Sequence, residues 1–242
     1  DGELFLHYGT LTSGTLVSGE QLTASVDQSR RDGIRRAHSA THILHHALQS
    51  ELGSHAQQQG SKVDEDWLRF DFTNLEPVSD ESLLSIEQDV NSRITNADAI
   101  QWKVLPLAEA RAAGAMMLFG EKYPDPVRMV SMGEFSRELC GGTHLCNTGE
   151  VEQLEITSEE GVAAGTRRVV ALTGPRAAQQ RADIDAAAAA AAQKLNVSES
   201  QLTESIEQLT AEIRDLKKQL GGAGATESSS EKIDNNGEAG DY

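Results

Sequence analysis

Residues 37–45 read Ala37-His38-Ser39-Ala40-Thr41-His42-Ile43-Leu44-His45, and residues 138–144 read Glu138-Leu139-Cys140-Gly141-Gly142-Thr143-His144. The first stretch sits in a run from Ile34 to about Leu52. Its apolar residues Ala37, Ile43, Leu44, Ala47 and Leu48 recur at helical spacing, and Gly53 closes it. Positions i and i+4 of a helix share a face with Cβ atoms ~5–6 Å apart, so His38 and His42 can reach one metal ion. Cys140 and His144 have the same separation, but Gly141-Gly142 makes a loop of it, and a loop can bring its backbone close to an ion. Two histidines plus a Cys–His pair form a credible zinc set. Spacing alone does not choose the histidines: His42 and His46 are also four apart, and His45 sits one position from His46. One ion cannot take both His38 and His46, since eight residues of helix span ~12 Å. His45, His46 and His55 read as packing or surface residues.

Outward from this pair, strands and helices are interleaved. Residues 3–27 read as short strands punctuated by Ser13-Gly14 and Ser18-Gly19, suggesting part of a small β-barrel, and Asp32-Gly33 reads as a turn. Trp67-Leu68-Arg69-Phe70-Asp71-Phe72 alternates as a strand. Ser79 to about Thr95 is a helix with a serine near its cap and Leu83, Leu84, Ile86 and Val90 at helical spacing. Further strands are expected at 102–105, 127–132, 151–157 and 166–172. No regular βαβ repeat appears, so the expectation is α+β with a mostly antiparallel sheet and packed helices.

From Pro175 the texture changes. Residues 175–194 are Ala-rich, Asn196-Val197 interrupts them, and Ser198-x-x-Gln201 is a capping box. Leu202, Ile206, Leu209, Ile213, Leu216 and Leu220 then follow at steps of four and three, an a/d seam. An antiparallel helical hairpin over 175–220 is expected, its six seam positions able to be satisfied within it. The Gly-, Ser- and Glu-rich residues 221–242 read as a disordered acidic tail.

The chain has 242 residues and two cysteines, Cys140 and Cys146. Two thiols make no disulfide scaffold and suit a reducing cytosol, so a cytoplasmic protein is expected, with no membrane partner because no run reaches the ~18 apolar residues of a span. The net charge of −17 argues against a general nucleic-acid binder. The basic residues are clustered, however: Arg30, Arg31, Arg35 and Arg36 fall within seven positions, and Arg167-Arg168 form a second group. They read as a local basic face or as solvated arginines flanking a helix start.

The stretches quoted first, with Arg69-Phe70-Asp71-Phe72, Gly120-Glu121-Lys122-Tyr123, the segment from Gly161 to Arg168, and Val26-Asp27 before Arg30-Arg31, resemble the editing domain of alanyl-tRNA synthetase. The resemblance covers residues 1 to about 174, and residues 175–220 resemble the hairpin leading to that enzyme's C-terminal domain. It implies a partial barrel over 1–30, an editing domain over 31–174, and His38, His42, Cys140 and His144 as ligands of one zinc ion. Gln58 falls at the family's substrate-site glutamine and Thr41 at its pocket hydroxyl; without the resemblance they read as a polar loop residue and a helix threonine bonded back to a carbonyl. The six arginines would then face the acceptor end of tRNA(Ala) carrying mischarged serine or glycine. ATP belongs to the aminoacylation core, which these residues lack. In place of the usual acidic residue after Arg167-Arg168 stands Val169-Val170.

The implied reaction is hydrolysis of the ester between a wrong amino acid and the terminal ribose. Four protein ligands is the closed arrangement of structural zinc, whereas catalytic zinc keeps three and a water. Either one ligand is loose, or zinc expands to five, or it positions substrate while Gln58 and backbone donors hold the water. The competing class is a zinc-stabilised module that binds tRNA or self-associates through the coiled coil without catalysis.

Overall fold

The computed structural model describes residues 6–117 and 122–226, with side chains described as far as Leu220. Leu4 of the expected first strand, Gly120-Glu121 and the tail beyond Thr226 lie outside the described residues.

Asp27 accepts a hydrogen bond from the Arg30 amide at 3.1 Å and starts helix α1, Gln28–Leu52. The helix thus begins before Ile34, and Asp32-Gly33 lies inside it. Gly33 is a contact residue and not a turn residue: a Cβ there would stand 2.7 Å from Glu65 Cγ and 3.2 Å from the Asp66 nitrogen. Glu65 and Asp66 form the tip of a hairpin between β1, Gln58–Asp64, and β2, Trp67–Thr73. Because Gly33 brings no side chain of its own, the helix backbone comes close enough for its carbonyl to accept the Asp66 amide at 3.3 Å.

Helix α2, Asp80–Asn96, is capped by Ser79 as the sequence indicates. Then come β3 (Ile100–Leu105), α3 (Leu107–Ala112), β4 (Val127–Met132), β5 (Ser136–Leu139), β6 (Leu154–Ala163) and β7 (Thr166–Thr173). The strands form two antiparallel sheets, ordered β1-β2-β7-β6 and β3-β4-β5. The fold is α+β. Alternation along β2 explains its orientation: Leu68, Phe70 and Phe72 are fully buried beside Ile43, Leu44 and Leu48 of α1, while Arg69 and Asp71 take the other face. Each large side chain buried this way contributes roughly 1.5–3 kcal/mol. Ile86 and Val90 of α2, Val169 and Ala171 of β7, and Val130 and Met132 of β4 complete the core.

The strands expected over 3–27 are not formed in the described part: residues 6–27 make no ladder and are exposed, Tyr8 at 92 %. Their apolar residues Leu6, Leu11, Leu16, Val17, Leu22 and Val26 are all more than half exposed, and an isolated short hairpin is at best marginal in water. At the other end α4, Gly174–Leu195, and α5, Leu202–Thr226, form the expected hairpin around left-handed Asn196, with the Ser198–Gln201 capping box formed. Its seam is not satisfied internally. Ala192 is buried near the turn, but every residue from Ile206 to Leu220 is exposed. Gly221-Gly222 does not end α5, which continues to Thr226. No helix among the described residues is long and apolar enough to cross a membrane.

Candidate metal centre

Helix α1 delivers His38 and His42 from one face, and the loop after β5 delivers Cys140 and His144. One nitrogen or sulfur from each of these four lies within 4.8 Å of all the others. Cys140 Sγ is 3.4 Å from His38 Nε2 and 3.4 Å from His144 Nε2. A tetrahedral zinc site with ordinary bond lengths would space sulfur and nitrogen about 3.5 Å apart. The donor set therefore fits a metal ion, and His46 is not part of it: its ring packs on Phe135 and its Nε2 meets Ser50.

These four side chains are held by residues behind them. His42 Nδ1 is 2.8 Å from Glu138 Oε2, and His144 Nδ1 is 3.2 Å from Ser39 Oγ, which also accepts the Leu145 amide. Both contacts occupy Nδ1 and leave Nε2 for the centre. Arg128 donates to the carbonyls of Cys140 and Gly142 at 2.7 and 2.9 Å, and Arg35 donates to the His144 carbonyl at 2.7 Å. Gly142 is needed for close approach, since a Cβ there would run into the His38 ring.

These contacts preset the charges. Burial resists ionisation of Cys140, but hydrogen bonds from His144, His38 and His42 bring its thiol down to about 3. Burial also opposes charge on His42, yet the Glu138 carboxylate and then the Cys140 sulfur hold it up at about 10. Burial pushes His144 down to about 4. Glu138, although buried, stays well below the usual carboxylate range because of His42. The thiolate form that metals require is thus favoured.

A cavity of about 110 Å³ opens beside this group, lined by His38, Thr41, His42, Gln58, Ser61 and Cys140 among others. Thr41 and Gln58 are therefore brought to His38, His42 and Cys140. Thr41 Oγ1 donates to the Ala37 carbonyl at 2.8 Å, leaving its lone pairs as acceptors. Gln58 Nε2 donates to Ser61 Oγ at 3.2 Å. The arginines are dispersed. Arg31 and Arg35, with Arg128, line a groove of about 520 Å³ against Gly141-Gly142-Thr143-His144. Arg30 pairs with Asp64, Arg35 with Asp32 and Arg36 with Asp66. Arg167 is held by Glu159 and Arg168 by Asp71, so of the six only Arg31 has no ion pair among the described residues. A larger cavity of about 560 Å³, around Arg30, Trp67 and Arg176, contains no histidine or cysteine. Sequence reasoning missed Ser39, Ser61 and Glu138; Glu138 alone gave a signal, standing two residues before Cys140.

Residues 127–170, which span β4 through most of β7, match the Threonyl and Alanyl tRNA synthetase second additional domain. The chain is 54 % identical over 217 residues to an alanine–tRNA ligase of Rhodopirellula baltica, covering 90 % of this chain and 23 % of that protein. The chain is a relative of the alanine–tRNA ligases. The Burkholderia cenocepacia ligase is 48 % identical over 216 residues (89 % of this chain, 24 % of the ligase). The Hydrogenovibrio crunogenus ligase is 45 % identical over 219 residues (90 % and 25 %). The chain thus spans about a quarter of the length of these curated relatives.

Proposed function

We propose that this chain is the editing part of an alanyl-tRNA synthetase, a hydrolase that binds one zinc ion and cleaves serine or glycine from mischarged tRNA(Ala). The observation that carries this reading is the 110 Å³ cavity lined by His38, His42, Cys140, Gln58 and Thr41, with His144 completing the four-residue group beside it. A space of that size suits a small aminoacyl group. Zinc bound by His38, His42, Cys140 and His144 would supply a Lewis acid for the ester carbonyl. Gln58 would orient the ester or the attacking water through its amide. Arg31, Arg35 and Arg128, in the adjoining groove, suit the phosphates of the acceptor end. Residues 202–220 favour a second, non-catalytic role, self-association or docking, because their seam is open.

Specificity follows from hydrogen bonding, since serine is larger than alanine and glycine smaller. A site that gives the serine hydroxyl a partner leaves that partner unpaired when alanine enters, at a cost of ~1–3 kcal/mol. Thr41 Oγ1 commits its proton to Ala37 and so acts as acceptor for that hydroxyl. Seryl-tRNA(Ala) should be hydrolysed fastest, glycyl more slowly and alanyl slowest, and Thr41→Val should erode the serine-over-alanine ratio more than zinc content. Deacylation of the three aminoacyl-tRNAs by purified protein tests this. No release of serine above the uncatalysed rate leaves the binding-module reading, and an unchanged ratio in Thr41→Val removes Thr41 from the site.

A further inference from the structure

Three residues after His42, on the same buried face of α1, stands His45, with its ring 1 % exposed and set 5.1 Å from the Phe70 ring. It touches none of the four ligand atoms, so packing alone would account for it. Its polar contacts form a directed chain. Gln49 Nε2 lies 3.2 Å from His45 Nε2 and also donates to the Ala56 carbonyl at 3.3 Å, which fixes the amide nitrogen as the group facing the ring. His45 Nε2 therefore accepts, and the ring proton sits on Nδ1. That nitrogen is buried 3.4 Å from Glu138 Oε1, an electrostatic contact outside hydrogen-bond geometry, and has no hydrogen-bond partner among the described residues. The other oxygen, Oε2, receives the shorter contact from His42 Nδ1 at 2.8 Å. Ser136 Oγ adds a 3.4 Å donation to Oε1.

We propose that His45 is a positioning residue of the metal centre: with Gln49 setting its tautomer, it turns a buried N–H toward the Glu138 oxygen that Ser136 also meets, so that the other oxygen holds His42 with Nε2 facing the ligand group. A buried carboxylate gripped at one oxygen can swing about its own bond. Donors on both oxygens fix the plane, and partners behind a ligating histidine tune how well it binds. The 3.4 Å link is the looser of the two, so His45 refines what Glu138 provides.

The inference rests on the metal-centre reading. Its test measures zinc affinity of the full chain by chelator competition, with Co(II) absorption reporting the ligand set. Glu138→Gln should weaken zinc about 10–100-fold. His45→Phe keeps a ring against Phe70 and should weaken zinc about 3–10-fold. In the Glu138→Gln background the same change should do nothing further. Equal losses in both backgrounds, or wild-type affinity in His45→Phe, would overturn the role, because packing acts whether or not Glu138 is charged. Should His45→Phe fail to fold, ¹⁵N shifts of wild-type His45 decide alone: protonation on Nδ1 is expected, and a proton on Nε2 breaks the chain. Absence of zinc from wild-type protein would defeat the metal-centre reading instead, and so is distinguishable from failure of the positioning role.

Discussion

Helices α1 and α5 each run for 25 residues and each carry apolar residues at helical spacing, yet they meet opposite fates. In α1 eleven residues are buried, from Gly33 to Leu48, between the four-stranded sheet, α2 and the cysteine loop. In α5 the seam from Ile206 to Leu220 is open, with Leu220 74 % exposed. Periodicity establishes that a face exists; only the rest of the chain determines whether something covers it. The covered face also holds chemistry, because burial fixes rotamers and excludes water. The open face holds none and is suited to contact.

Removing ligands breaks the contrast most sharply. Purified chain should hold about one zinc ion, and Cys140→Ala with His144→Ala should abolish binding, whereas Leu209→Ala and Leu216→Ala in α5 should leave it intact. Metal analysis after dialysis reads both; full occupancy in the double variant would sink the assignment. Next in size is truncation. Leu44→Ala in α1 should cost about 2–5 kcal/mol of unfolding free energy, and Leu209→Ala less than about 0.5 kcal/mol in dilute protein. A concentration-dependent loss above about 1 kcal/mol in Leu209→Ala would mean the seam is covered by another copy.

A smaller effect comes from one methyl group. Gly142→Ala presses on His38 and should weaken zinc at least about tenfold, equal to about 1.4 kcal/mol, while Gly141→Ala, with nothing within 4 Å of a new Cβ, should not. Equal affinities in the two variants would show that the loop gives way easily. The smallest effects are electrostatic. Arg168, against some burial, holds Asp71 below the usual carboxylate value, so its stabilisation is complete above pH about 4 and fades as pH falls through the lowered value. At the root of the hairpin, burial and then Glu87 raise Glu155 despite Arg181, so its contribution has the opposite sign: present below the ordinary value and lost as pH rises through the raised one. Urea midpoints of Asp71→Asn and Glu155→Gln across pH 3–7 should diverge in opposite directions by under about 1 kcal/mol. Parallel profiles would refute the two signs.

What was legible follows the same contrast. The α1 face, the α2 cap and the helical hairpin announce themselves through periodicity and capping residues. Strand β1 does not: Gln57-Gln58-Gln59-Gly60-Ser61 reads as a polar loop, but its backbone pairs with β2 through a bulge between Gln58 and Gly60. The strand expected from Val151 starts at Leu154, after a 3₁₀ turn over Thr148–Val151 organised by the Glu150 side chain on the Asn147 amide. Histidine spacing left two ligand pairs open, and only the arrangement around Cys140 separates His38 from His46. Glu138 left only its place two residues before Cys140 as a signal, and His45 left none, because their contact depends on β5 lying against α1, a long-range arrangement. The clustering of the arginines in sequence does not reveal that five of six have acidic partners.

The two halves of the ligand group come from segments about a hundred residues apart in the chain, the last residues of one and the first of the other being His42 and Cys140. At ordinary rates of ~5–20 residues per second, His38 and His42 leave the ribosome on the order of 5–20 s before Cys140 and His144. During that interval α1 lacks the loop that covers its histidines, as well as β7 of its own sheet. An ion that required all four side chains could not be captured as a seed for folding; it would arrive after both segments had met, as a late lock on a nearly finished body.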